Sequence, residues 1–209
     1  RGTGRSRVAT VLVNEESGER GFVSWPESFP PLLARDLATE DIAGARIVLL
    51  DVADDTGVEA ARRAHEAGAI VVFDGTWQSE RLAEFLPLVD HAIVSEFFAR
   101  RWMPDADDET ILHRLTDLGA RTAVLTLGER GCVARFDGRH LDCPAVDVAV
   151  VDTTGAGDAF HGGYIDALLR HQDLPERLRF AAATAALNCR ALGGQQSLPT
   201  RDEVDTLLS

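Results

Sequence analysis

The sequence predicts an α/β protein with a doubly wound, mainly parallel sheet and helices on both of its faces. Three observations predict it. Short apolar runs at 46–51, 69–74, 91–94 and 122–127 alternate with helical patterns at 56–67, 79–86, 96–102 and 109–118. That rhythm belongs to βαβ units. A glycine-rich stretch follows the apolar run 146–151, read as a strand, and opens a helical pattern through Phe160, Tyr164, Ile165, Leu168 and Leu169. The chain has 209 residues, 45% of them hydrophobic, which suffices for one sizeable core.

At the front, residues 8–13 and 21–25 flank a charged turn, Asn14-Glu15-Glu16-Ser17-Gly18-Glu19-Arg20, and read as an antiparallel pair. The segment 29–31 with the apolar 32–43 connects this pair to the wound sheet. The boundaries therefore fall at 1–28 and 29–209. After the alternating units, residues 123–133 read as a buried strand, a turn marked by Gly128 and Gly131, and a return strand. Near the end, 181–188 is a small-residue helix followed by the turn Gly193-Gly194-Gln195-Gln196-Ser197-Leu198-Pro199. There are no internal repeats or low-complexity tracts.

Charge and cysteine usage narrow the partners. Net charge is −13, from 34 acidic and 21 basic residues, without a Lys/Arg-rich block. This argues against nucleic acid and anionic membranes. Cys132, Cys143 and Cys189 form an odd set without metal-ligand spacing, which reads as reduced thiols in a cytoplasmic protein. No stretch reaches the roughly 18 apolar residues of a membrane span, and the first residues form no signal-peptide core.

The chemistry concentrates in Val151-Asp152-Thr153-Thr154-Gly155-Ala156-Gly157-Asp158-Ala159-Phe160-His161-Gly162-Gly163. Glycines at a helix start let unpaired N–H groups and the positive end of the helix dipole meet an anion. Asp158 is the odd element, because a fixed negative charge repels a phosphate. It makes sense as a base that takes a proton from a hydroxyl about to attack that phosphate. The bland alternative is an ordinary turn with Asp158 capping the helix. Other phosphate motifs fail: there is no G-x-x-x-x-G-K-[ST], and the third glycine of G-x-G-x-x-G would fall on Phe160.

Asp-Thr-Thr-Gly-Ala-Gly-Asp-Ala-Phe, with small residues and then Tyr164-Ile165 behind it, resembles the second signature of the ribokinase-like, or PfkB, carbohydrate kinases. The segment around Thr126, Gly128 and Gly131 is similar to the family's T-x-G-x-x-G turn, which lies against the nucleotide; alone it is equally an ordinary hairpin. The resemblance implies ATP as phosphate donor, magnesium, and a small sugar as acceptor. It puts Gly155, Ala156 and Gly157 around the γ-phosphate, with Asp158 as base. Thr126, Gly128, Gly131, Asn188 and Gly157 would then bind the nucleotide, although alanine packing explains the 181–188 helix equally well. It also suggests a monovalent cation, potassium, near Asp152, the carbonyl of Thr154 and Ser197, and a homodimer paired through the lid.

This chain departs from the family's pattern in two places. The usual Asn-x-x-Glu magnesium segment would fall near Val94-Ser95-Glu96-Phe97-Phe98, with Ser95 in place of Asn and Phe98 in place of Glu. Glu96 could substitute, or could be a first-turn acid that complements the helix dipole. Asp74 ends a strand at the ligand-binding edge and reads as a substrate contact or a helix cap. The sequence also opens at Arg1 on a segment (Thr3-Gly4, then Gly18-Glu19-Arg20) that resembles the middle of such kinases. The early Gly-Asp pair, the Gly-Gly motif and much of the lid are not seen. Either an N-terminal part is missing, which the abrupt start favours, or this is a reduced relative. Ketose and pentose kinases lead the expectation; a nucleoside kinase and a catalytically silent nucleotide-binding relative remain open. A dinucleotide oxidoreductase is disfavoured by the late, incomplete glycine motif. His161 reads as a pocket or surface side chain, and Trp77 and Trp102 as core or rim.

Overall fold

The computed structural model describes residues 4–6, 8–13, 20–28 and 30–209. Strands β1 (Val8–Val13) and β2 (Arg20–Trp25) pair antiparallel, from Val8 opposite Trp25 to Val13 opposite Arg20. This is the expected front pair; residues 14–19 of its charged turn lie outside the described residues. The two strands form a sheet of their own. After a short α1 (Thr39–Ile42) the wound part begins.

Its six-stranded sheet runs in the unbroken order β3 (Ile47–Leu50), β4 (Ile70–Gly75), β5 (His91–Ser95), β6 (Thr122–Thr126), β7 (Cys132–Phe136) and β8 (Arg139–Cys143). The first four are parallel, and β7 and β8 are antiparallel additions. Between the parallel strands lie α2 (Asp55–Glu66), α3 (Leu82–Phe85), α4 (Glu96–Trp102) and α5 (Asp108–Asp117). The pleat sends alternate side chains to opposite faces. Val71 and Phe73 of β4, Ala92 and Val94 of β5, and Ala123 and Leu125 of β6 join a core with Phe85, Phe98, Ile111 and Leu115 of the crossover helices. Val72, Ile93 and Val124, one residue out of phase, pack against Phe160, Tyr164, Leu178 and Ala181. Those belong to α6 (Ala156–Leu169) and α7 (Leu174–Asn188), which cover the second face. Burying one such side chain contributes about 1.5–3 kcal/mol. Helix α8 (Arg201–Leu208) closes the groove between α6 and α7 through Val204. Among the described residues no helix is long and apolar enough to cross a membrane.

One expectation needs correction, and one strand has no counterpart in the sequence reading. The apolar run 146–151 is not a strand: it leaves the sheet after β8, has no ladder partner, and exposes Val150 and Val151. Its valines alternate like a strand, but the chain leaves the sheet after β8 and runs to the end of α7, where the Val151 N–H donates to the Cys189 carbonyl at 2.8 Å. Strand β8 itself goes unanticipated. Its signal is Asp137-Gly138, both with positive φ (50° and 72°), the tight-hairpin pattern between two strands.

Candidate active site

The carboxyl ends of the four parallel strands lie along one edge, and α6 begins there. Five other helices of seven or more residues carry a side-chain cap: Asp54 on α2, Ser95 on α4, Asp107 on α5, Asp173 on α7 and Thr200 on α8. Helix α6 is the exception among the described residues. Its N-cap is Gly155, left-handed at φ 73°, with no side chain closing the turn. A Cβ at Gly155 would lie 2.8 Å from Cα of Gly194, so this close approach requires glycine.

The open turn leaves donors free. Among the described residues the N–H groups of Gly157 and Asp158 donate to nothing, while Ala156, expected as a third cradle donor, gives its N–H to the Thr153 carbonyl at 3.2 Å. Gly157 faces open space. Asp158 sits in the first turn, exposed, and no hydrogen bond or ion pair holds its carboxylate among the described residues. It therefore does not cap the helix. An unpaired carboxylate beside two unpaired N–H groups can hold an anion and accept a proton next to it.

Behind the turn, Asp152 is buried, and it fixes two loops. Its Oδ1 accepts from the Thr154 N–H (2.9 Å) and hydroxyl (2.8 Å), and its Oδ2 accepts from the Gly193 N–H (2.9 Å). Asn188, fully buried, donates Nδ2 to the Thr154 carbonyl (3.1 Å), and Ser197 donates its hydroxyl to the Asn188 carbonyl (2.8 Å). Asp152, Thr154, Asn188 and Ser197 are thus brought together. Asn188 lies beneath the cradle, not in an open cleft, and its Oδ1 has no partner among the described residues.

On the neighbouring strand end, Thr126 closes β6 with its hydroxyl donating to the Val94 carbonyl at 3.4 Å. The turn that follows contains a 3-10 segment, Gly128–Arg130. Gly131, at φ 86°, packs where a Cβ would meet the Cys143 carbonyl at 2.2 Å. Glu96 does not stand free beside this turn. Its Oε1 accepts from Arg130 at 2.7 Å and Arg100 at 3.3 Å, and Arg100 also pairs with Asp108. The acid therefore ties the glycine turn to the start of α4. The Asp108 contact also raises the affinity of the Arg100 guanidinium for its proton.

The third wall comes from β4. Asp74 caps no helix; its Oδ1 accepts from the Thr76 hydroxyl at 3.0 Å, and its Oδ2 lies 3.7 Å from Nδ1 of His161. His161, expected in a pocket or on the surface, is buried. Trp102 packs against the core, whereas Trp77 is exposed on the rim with Phe97, ring centres 5.7 Å apart. A groove of about 610 Å³ runs from Asp158 past Gly162 to the Asp166–Arg201 ion pair, walled by Phe180, Gln195 and Leu198. Sequence reasoning missed the His161–Asp74 contact, because only the crossing of α6 over β4 brings residues so distant in the chain together.

Comparison with known proteins agrees with the fold. The pfkB family carbohydrate kinase profile matches residues 2–201. The 2-dehydro-3-deoxygalactonokinase of Haloferax volcanii is 28% identical over 98% of this chain and 68% of its own. The ribokinase of Haemophilus influenzae is 33% identical over 71% of this chain and 50% of its own. The chain thus spans between half and about two thirds of these relatives' lengths. Among solved structures, Thermotoga maritima ribokinase superposes with a TM-score of 0.88 at 25% identity, over 100% of this chain and 71% of that one. Arabidopsis thaliana ribokinase complexed with ribose and ATP gives 0.84 at 26% identity, over 99% and 70%. With its family profile, its sheet and its glycine-opened helix in agreement, this chain belongs to the pfkB family of carbohydrate kinases.

Proposed function

We propose that the protein transfers the γ-phosphate of ATP to a hydroxyl of a small sugar, a ketose or pentose first, by in-line displacement. The observation that carries this reading is the Asp158 carboxylate, unpaired and exposed, next to the free N–H groups that open α6. The N–H groups of Gly157 and Asp158 stabilise charge developing on the γ-phosphate oxygens. Asp158 takes the proton of the attacking alcohol, and its charge keeps that alcohol oriented while the phosphate crosses. Gly155 allows the backbone to come close enough. Thr126, Gly128 and Gly131 form the nucleotide's side of the edge, and Asn188 supports the cradle from beneath. Residues 1–28 are the front of the fold and 29–209 its nucleotide-binding unit. A homodimer and a cytoplasmic location remain part of this reading.

Magnesium enters as part of the Mg-ATP substrate. Among the described residues no three His, Cys, Asp or Glu side chains cluster around a metal position. Glu96 is engaged by two guanidiniums, so it steadies the turn and touches the metal at most through water. Potassium fits better. Asp152, the Thr154 carbonyl, Ser197 and the unpartnered Asn188 Oδ1 form an all-oxygen set of the kind a hard cation takes. A cation there would add positive field behind the cradle.

The test is ADP release from Mg-ATP against pentoses, hexoses and ketoses. Sugar-dependent release supports the reading and names the acceptor; ADP release that ignores every sugar would remove it.

A further inference from the structure

His161 has a role that packing does not explain. The residue is 6% exposed. Its Nδ1 lies 2.8 Å from the carbonyl oxygen of Gly157 and 3.7 Å from Oδ2 of Asp74. Both neighbours only accept, so Nδ1 carries the proton and donates. In the neutral ring Nε2 is then a lone pair, buried and without a partner among the described residues. Leaving a buried acceptor unpaired costs stability that an apolar side chain of similar size would keep. The ring's polarity is therefore used at Nδ1.

What that donor does follows from the covalent chain. In the helix ladder the Gly157 carbonyl already accepts the backbone N–H of His161, four residues on. The imidazole supplies a second donor to the same oxygen. The Gly157 carbonyl and the Asp158 N–H belong to one peptide unit, and hydrogen-bonded groups in series polarise one another. Two donors on the oxygen make the Asp158 N–H a stronger donor, and that N–H is one of the two free groups at the head of α6. Asp74 Oδ2, at 3.7 Å, lies beyond hydrogen-bond distance, so the Nδ1 donor goes to the Gly157 carbonyl.

We propose that His161 is a positioning residue for phosphoryl transfer: it polarises the Gly157–Asp158 peptide toward the phosphate. This rests on the kinase reading above.

His161→Asn and His161→Leu separate the donor from the packing. Asn places its Nδ2 where Nδ1 stands and can still reach the Gly157 carbonyl; Leu has similar bulk and no donor. Both remove the ring, and Tm measured for each reports the change in packing separately from turnover. The expected result is a kcat about tenfold lower in His161→Leu, a loss on the scale of one hydrogen bond, with the sugar KM within about twofold. His161→Asn recovers most of that kcat. Equal losses in the two variants, or a loss confined to Tm, would overturn the proposal. If the unmutated protein phosphorylates none of the sugars, the kinase reading fails separately. Mg-ATP affinity by calorimetry then decides: weaker binding in His161→Leu than in His161→Asn supports the polarised peptide, and equal binding removes it. Imidazole ¹⁵N shifts give a check that needs no turnover, with Nδ1–H as the expected tautomer and Nε2–H as the contradiction.

Discussion

Helix α6 has two ends of opposite character. Its first turn, at the carboxyl edge of the sheet, leaves two N–H groups and the Asp158 carboxylate without partners among the described residues. Two turns further on, over the amino edge, Tyr164 is completely buried, and its hydroxyl lies 3.1 Å from Nδ1 of His91 at the start of β5. Burial pushes the Tyr164 phenol up to about 12 and lowers the His91 imidazole to about 4, the Arg177 charge helping with the latter. Both are therefore neutral near pH 7 and satisfy each other. One element thus carries stability at one end and open chemistry at the other. The difference comes from sequence: a bulky Tyr fills the closed end, while Gly155 and Gly157 keep side chains away from the open one.

The contrast predicts how each end fails. The largest effect belongs to Asp158→Asn, which should lower kcat by about 10²- to 10⁴-fold while leaving Tm unchanged, since no partner is lost. A fall in Tm alongside the rate would mean that Asp158 belongs to the structural end after all. Next comes Gly155→Ala. A positive φ and the close approach to Gly194 together cost on the order of 1–3 kcal/mol of stability, and Mg-ATP binding should weaken too. Denaturant unfolding with nucleotide titration checks this, and an Ala variant with native stability would show that the turn is not held as described.

At the closed end the prediction concerns pH. The unfolded His91 titrates near 6.5 and the folded one at about 4, so between these values the unfolded chain binds the extra proton. Stability is full above about pH 6.5 and falls by roughly 3 kcal/mol as the pH drops to about 4. His91→Phe should flatten this part of the curve while lowering its plateau, because Tyr164 loses its partner. An unchanged slope would place the acid sensitivity elsewhere. The smallest effect is expected from the oxygen pocket behind the cradle: exchanging potassium for tetramethylammonium should reduce turnover modestly. Equal rates in the two salts would take potassium out of the account.

The open end was the more legible one. Asp152, Gly155, Gly157 and Asp158 fall within seven consecutive residues, so local chemistry alone marks them, and the alternation of β3 to β6 with helices is equally local. The sequence is silent where contacts are long-range. Nothing near His161 points to Asp74, and nothing near Glu96 points to Arg130, because both meetings depend on which strand ends become neighbours. Glu96 therefore reads in the sequence as a magnesium acid or as a first-turn acid on the helix dipole, although two guanidiniums engage it. The run 146–151 misled for a related reason: its valines have strand periodicity, but the chain leaves the sheet after β8 and its end bonds to the Cys189 carbonyl behind α7, a long-range contact.

The most direct measurement is ³¹P NMR of the protein with Mg-ATP and the sugar that gives the highest ADP release, run beside Asp158→Asn. A new phosphomonoester resonance is expected that grows as ATP is consumed and is almost absent with the variant. A sugar phosphate formed at the same rate by Asp158→Asn would contradict that expectation.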